Sequence, residues 1–110
     1  MKVILFENGE IGRRVNMPGE NPVAEIEELL GGPAEEEMIA PGALLYTRED
    51  GAELELPIRY SLHRRPSTAE PICGDAVLVL VNSQGRIRDA KEVDLEAADC
   101  YVWPVMGKRT

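Results

Sequence analysis

One imidazole and two thiols are the side chains of this 110-residue sequence best suited to act as base or nucleophile: His63, Cys73 and Cys100. A nucleophile needs a base within hydrogen-bond reach. Cys73, followed by Gly74-Asp75, could pair only with His63, because the chain has no other histidine. The competing reading is an ordinary thiol before a core strand, since free cysteine packs as a small hydrophobe. On that reading at least one of the two cysteines is buried. The cysteines form no C-x-x-C pair and no metal-ligand spacing with His63. A disulfide would need an oxidising compartment, which nothing else in the sequence suggests. Gly9-Glu10-Ile11-Gly12 and Gly31-Gly32 lack the Lys-Ser/Thr pair and the strand-to-helix setting of a phosphate loop. No catalytic residue, metal or cofactor is assigned.

Charge is the second source of chemistry. The net charge is −8, and the segment from Val15 to Thr47 holds seven acids and no Lys, Arg or His, leaving −1 for the remainder. Such a stretch serves either as a solvated face or as a surface that docks on a basic partner. The candidate interaction residues are Glu25, Glu27 and Glu28, followed by Glu35, Glu36 and Glu37. Ile58 to Pro71 is the opposite case, with Arg59, His63, Arg64 and Arg65 against the single acid Glu70. It reads as a solvated loop, as a partner for the acidic segment within the chain or across a dimer, or as an anion or nucleic-acid contact. The last is weakened because only Tyr60 accompanies the arginines, without an aromatic cluster or glycine-rich cradle. An acidic chain is a poor polyanion binder, since each phosphate contact wants a cation.

These residues need elements to hold them. Lys2 to Glu7 reads as a strand, and its continuous apolar run suggests burial on both faces. Asn8-Gly9 is a hairpin signal, with Glu10–Asn16 returning and Ile11 and Val15 inward. Asn21 is the expected N-cap of a helix through Leu30, its side chain accepting from a first-turn amide. Pro22 is tolerated at the first position, and Val23, Ile26, Leu29 and Leu30 make the apolar stripe. Gly31-Gly32-Pro33 stops the helix. Ala34–Ala40 and Ala43–Arg48 follow as strands. Asp50-Gly51 predicts a hairpin into Glu53-Leu54-Glu55-Leu56, whose alternation turns Leu54 and Leu56 to the core. Ala76–Val81 is the most apolar strand and is expected to be central. Asn82–Gly85 is a turn, Arg86–Ala90 a short edge strand, Val93–Cys100 one or two helical turns, and Tyr101–Met106 a closing strand or packed tail.

The Leu30-Gly31-Gly32 helix end, the acidic strand, the Glu49-Asp50-Gly51 turn, Leu56-Pro57, Ile72-Cys73-Gly74-Asp75-Ala76-Val77 and Asn82-Ser83-Gln84-Gly85 together resemble the family called domain of unknown function 3846. The resemblance covers roughly Met1 to Asp99. It implies a small accessory protein of gut Firmicutes, their mobile elements and phages, and brings no established activity and no catalytic residues. The Ile58–Pro71 stretch is longer than the family's usual connection.

The expected fold is α+β: one domain over residues 1–106 with a frayed tail at 107–110. A mostly antiparallel curved sheet or small open barrel carries one main helix, with a β-grasp arrangement as the variant. The expected core includes Val3, Leu5, Ile26, Leu29, Leu45, Leu54, Val77, Val79 and Val81. The apolar run after Met1-Lys2 is too short for a signal peptide, and no run approaches a membrane span, so the chain is read as cytoplasmic. The leading functional expectation is a non-enzymatic protein-interaction module. The alternatives are a nucleic-acid or anion binder using Arg59, His63, Arg64 and Arg65, and a small enzyme using Cys73 and His63. A protein partner is expected, a homodimer is open, and neither membrane nor nucleic acid is favoured.

Overall fold

The most apolar runs of the chain form the middle of the molecule. The computed structural model describes residues 1–65 and 68–105, with only the backbone of Arg65. In chain order it shows β1 (Lys2–Phe6), β2 (Arg13–Asn16), α1 (Pro22–Leu30), β3 (Ala34–Ala40), β4 (Ala43–Arg48), β5 (Ile58–Arg65), β6 (Thr68–Cys73), β7 (Ala76–Val81), β8 (Ile87–Arg88), α2 (Glu92–Ala98) and β9 (Val102–Pro104). The main sheet runs β2-β1-β7-β4-β3, with β8 paired to β7, and a second sheet runs β6-β5-β9. Every pairing is antiparallel. The fold is therefore α+β, and its sheets are not closed into a barrel. The antiparallel join of β1 to β7 also differs from the β-grasp variant, in which the first strand has a parallel neighbour.

Side chains alternate between the faces of a strand, and here both faces of the main sheet are covered. Val3, Leu5, Val77, Val79 and Tyr46 pack with Ile26 and Leu30 of α1. Ile4, Phe6, Leu45, Leu78 and Leu80 face the other way, onto Tyr60, Leu62 and Ile72 of the second sheet and Ala98 of α2. This is why the β1 and β7 sequences are apolar at consecutive positions rather than alternating. Burying one such side chain contributes about 1.5–3 kcal/mol. Phe6 and Tyr60 meet edge to face across the layers, their ring centroids 5.6 Å apart. The Tyr60 hydroxyl donates to the Glu10 carbonyl at 2.6 Å.

Several expectations are corrected. Residues 49–55 are turns, not a hairpin strand. β4 already has β3 on one side and β7 on the other, so no ladder remains for Glu53–Leu56. The backbone coils on itself instead, with Leu54 N–H on the Asp50 carbonyl at 3.0 Å and Leu56 N–H on Gly51 at 2.9 Å. Leu54 is consequently 55% exposed, outside the core. Within the stretch expected as a solvated loop, residues 58–65 and 68–71 are strands of the second sheet. Tyr60, Leu62 and Ile72 supply its buried face, hidden in the sequence among arginines.

Ile11 points to solvent, 71% exposed. Glu10 N–H closes the Asn8-Gly9 turn on Glu7, yet the ladder beyond it pairs Leu5 with Arg13. That register carries one extra residue on the returning strand, and such an offset changes which face a side chain meets. Asn21 precedes α1 without a side-chain cap, and Val23 is exposed. Gly31 does close the helix in the left-handed conformation, its N–H on the Glu27 carbonyl at 2.8 Å. Positive φ is the conformation in which glycine avoids the steric penalty of a Cβ. The expected tail at 107–110 lies outside the described residues.

Candidate functional site

The acidic triplet Glu35-Glu36-Glu37 lies on β3, an outer strand of the main sheet. Strand periodicity splits it. Glu35 and Glu37 stand opposite Thr47 and Leu45, while Glu36 stands opposite Tyr46 on the α1 side. Glu36 accepts a hydrogen bond from the Tyr46 hydroxyl. Burial first, and then this carboxylate, push the Tyr46 phenol well above its ordinary pKa.

The α1 glutamates are divided in the same way. Glu25 accepts from the Gly19 amide at 2.6 Å and the Asn21 amide at 2.9 Å. It thus fixes the loop leading into α1 rather than capping the first turn, and these backbone donors, Asn21 foremost, hold its carboxyl below the usual range. Glu27 accepts from the Ala34 amide at 3.1 Å and fixes the entry to β3. Glu28 and Glu35 are exposed, and among the described residues their side chains make no hydrogen bond or ion pair. Of the six candidate interaction residues, these two carry uncommitted charge.

The basic stretch does not assemble into one anion site. Arg64 points to β3, where it pairs with Glu37, and it grips Glu70 through Nε at 2.9 Å and Nη2 at 2.6 Å. The Glu70 hydrogen bonds, and then the charge of Glu37, raise its pKa. His63 belongs to the other face of β5. Its ring stacks on Trp103 with centroids 3.8 Å apart, and its Nε2 lies 2.7 Å from the Ser61 hydroxyl. Arg59 is exposed beside Val105, whose amide donates to the Arg59 carbonyl. The Arg65 side chain lies outside the described residues. Of the uses open to this stretch, pairing with the acidic segment within the chain is realised at Arg64.

Cys73 and His63 are not brought together. Cys73 pairs with Ile58 at the start of β5, five residues before His63. At roughly 3.3 Å per residue the two positions are about 16 Å apart along the sheet. Cys73 is half-buried and Cys100 exposed, so neither is the fully buried thiol expected. Among the described residues no group of three or more His, Cys, Asp and Glu could hold a metal.

What the sequence did not disclose is a cleft of about 260 Å³ between the two sheets. Leu45, Leu62 and Ile72 lie at its base, Glu35, Glu37, Glu49 and Glu70 around it, and Cys73 and Ala52 at one side. Arg48 also borders it, but its guanidinium is held by Asp50 at 2.8 and 3.1 Å. The cleft depends on β6 standing opposite β3 and β4, a pairing of layers with no local sequence signal. Trp103 was missed for the same reason: only the β5–β9 ladder sets it beside His63.

A second hollow of about 170 Å³ lies between β7 and α2, with Arg88 and Asp94 among its lining residues. Their two hydrogen bonds are both 2.8 Å. Arg88 chiefly, aided by the Lys91 amide, brings the Asp94 carboxyl down to about 2. No helix among the described residues is long and apolar enough to cross a membrane. No protein-family model matches the chain, and no curated protein or solved structure matches it either.

Proposed function

We propose that the chain is a non-enzymatic interaction module that binds a basic polypeptide across its acidic β3 edge, with Glu35 on the cleft side of that edge and Glu28 of α1 on the other. One observation carries this reading: the candidate acidic residues keep two exposed, unpaired carboxylates among the described residues, whereas the basic stretch keeps one such cation, Arg59. Arg64, a principal cation of the basic stretch, is spent on Glu37 and Glu70. Glu28 and Glu35 remain exposed and uncommitted among the described residues. β3 also presents an unpaired strand edge within the main sheet, a surface on which an extended segment can add main-chain hydrogen bonds. Charged side chains on that edge suppress indiscriminate pairing while favouring a cationic strand. The resemblance to domain of unknown function 3846 fits a cytoplasmic accessory protein carried on a mobile element or phage.

The test is recovery of partners by the tagged protein from nuclease-treated lysate of its host, beside a Glu28→Lys/Glu35→Lys variant. A stoichiometric basic partner recovered by the parent and lost by the variant, at unchanged thermal stability, supports the module. Equal recovery by both overturns it.

A second reading is favoured by the half-exposed His63–Trp103 stack near Arg59. Aromatic faces of this kind stack on bases of single-stranded nucleic acid. Fluorescence titration with an oligothymidine would show salt-dependent quenching of Trp103, weakened by Arg59→Glu. A signal indifferent to oligonucleotide removes this reading.

A further inference from the structure

We propose that the cleft between the two sheets is a socket for one arginine side chain of the partner; this rests on the binding-module reading and locates its anchor. A guanidinium on an aliphatic stem needs apolar surface for its methylenes and carboxylates for its head. The cleft offers both. Leu45, Leu62 and Ile72 line its base, and four glutamates stand around it. Its volume of about 260 Å³ is ample for one long side chain.

The charge around the cleft is not self-compensated. Arg48 is matched by Asp50, and Arg64 is shared between Glu37 and Glu70. Glu35 and Glu49 keep side chains with no hydrogen bond or ion pair among the described residues. Arg64 itself illustrates the recognition. Reaching from β5, its guanidinium lies between a carboxylate of β3 and one of β6. The incoming arginine would make the same kind of contact with Glu35 and Glu49. The planar fork suits paired carboxylates better than a lysine ammonium does.

The probe is an acetylated, amidated hexa-arginine peptide, titrated calorimetrically at low salt. Ala52→Trp fills the side of the cleft without changing charge, and Glu35→Gln/Glu49→Gln removes charge without filling it. Each is expected to weaken binding about tenfold or more, as loss of an anchoring side chain does. Circular dichroism melts confirm that the variants remain folded. The parent protein supplies an independent readout, because Cys73 borders the cleft and Cys100 is exposed away from it. At peptide concentrations about ten times Kd, alkylation of Cys73 by iodoacetamide should slow about tenfold by mass action. Cys100 should be unaffected.

Binding that ignores Ala52→Trp and leaves Cys73 unprotected overturns the socket and leaves the acidic-surface reading standing. Failure of the parent protein to bind the peptide at all overturns both.

Discussion

The α1–β3 region and the second sheet handle charge differently. In the first, apolar side chains turn inward and glutamates lie on the surface. Ile26 and Leu30 are buried while Glu28 and Glu35 are exposed. In the second, Arg64 is folded back onto Glu37 and Glu70 and His63 is stacked on Trp103, so that among the described side chains of its basic stretch only Arg59 is left exposed and unpaired. The lesson is that a charged stretch keeps charge available to a partner only where the fold leaves it uncompensated. Local composition ranks the two stretches as equally conspicuous, and strand pairing separates them.

The comparison is broken most severely by removing what anchors each region. Tyr60→Ala should cost about 3–5 kcal/mol and Ile26→Ala about 2–4 kcal/mol, from lost burial and the cavity left behind. Urea unfolding of each variant measures this. A loss below about 1 kcal/mol at Tyr60 would mean that the second sheet is not packed as described.

Acid tests a contact outside both regions. The folded Asp94 carboxyl has a pKa of about 2, below its ordinary 3.8. Its contribution is therefore present above about pH 4 and is lost as pH falls towards 2. The lowered carboxyl, with Arg88 and the Lys91 amide as its donors, contributes about 2 kcal/mol by linkage. The difference in stability between the parent protein and Asp94→Asn should shrink over that interval. A difference constant from pH 6 to pH 2 would contradict the assignment.

Smaller changes sharpen the contrast between the regions. Arg64→Ala removes two partly exposed ion pairs, with Glu37 and Glu70, and should cost about 1 kcal/mol or less, and less still in high salt. Glu28→Lys/Glu35→Lys should move stability by about 0.5 kcal/mol or less, as exposed substitutions do, while changing partner binding. A large stability loss there would show that these glutamates are structural after all.

Much of the fold was legible because its signals are local. The apolar runs of β1 and β7, the Pro22 start and Gly31 stop of α1, and the bracketing of β3 by Pro33 and Pro41 all survive into the structure. Leu54 and Leu56 misled because alternation describes a strand only if a neighbour has a free edge, and β4 had none. Tyr60, Leu62 and Ile72 were obscured by the cations among them, although their spacing is that of a buried strand face. The site was less legible still. Glu25, Glu27, Glu36 and Glu37 look alike in sequence, yet Gly19, Ala34, Tyr46 and Arg64 engage them separately. Those partners are chosen by tertiary structure. Nothing local distinguishes Glu28 and Glu35 from their neighbours.

The most direct measurement is chemical-shift mapping of the nitrogen-15-labelled protein during titration with the hexa-arginine peptide at low salt. The account predicts saturable shifts concentrated on β3, the Glu28 turn of α1 and the walls of the cleft, with Arg59, His63 and Trp103 still. Shifts centred on Arg59, His63 and Trp103, or none at all, would contradict it.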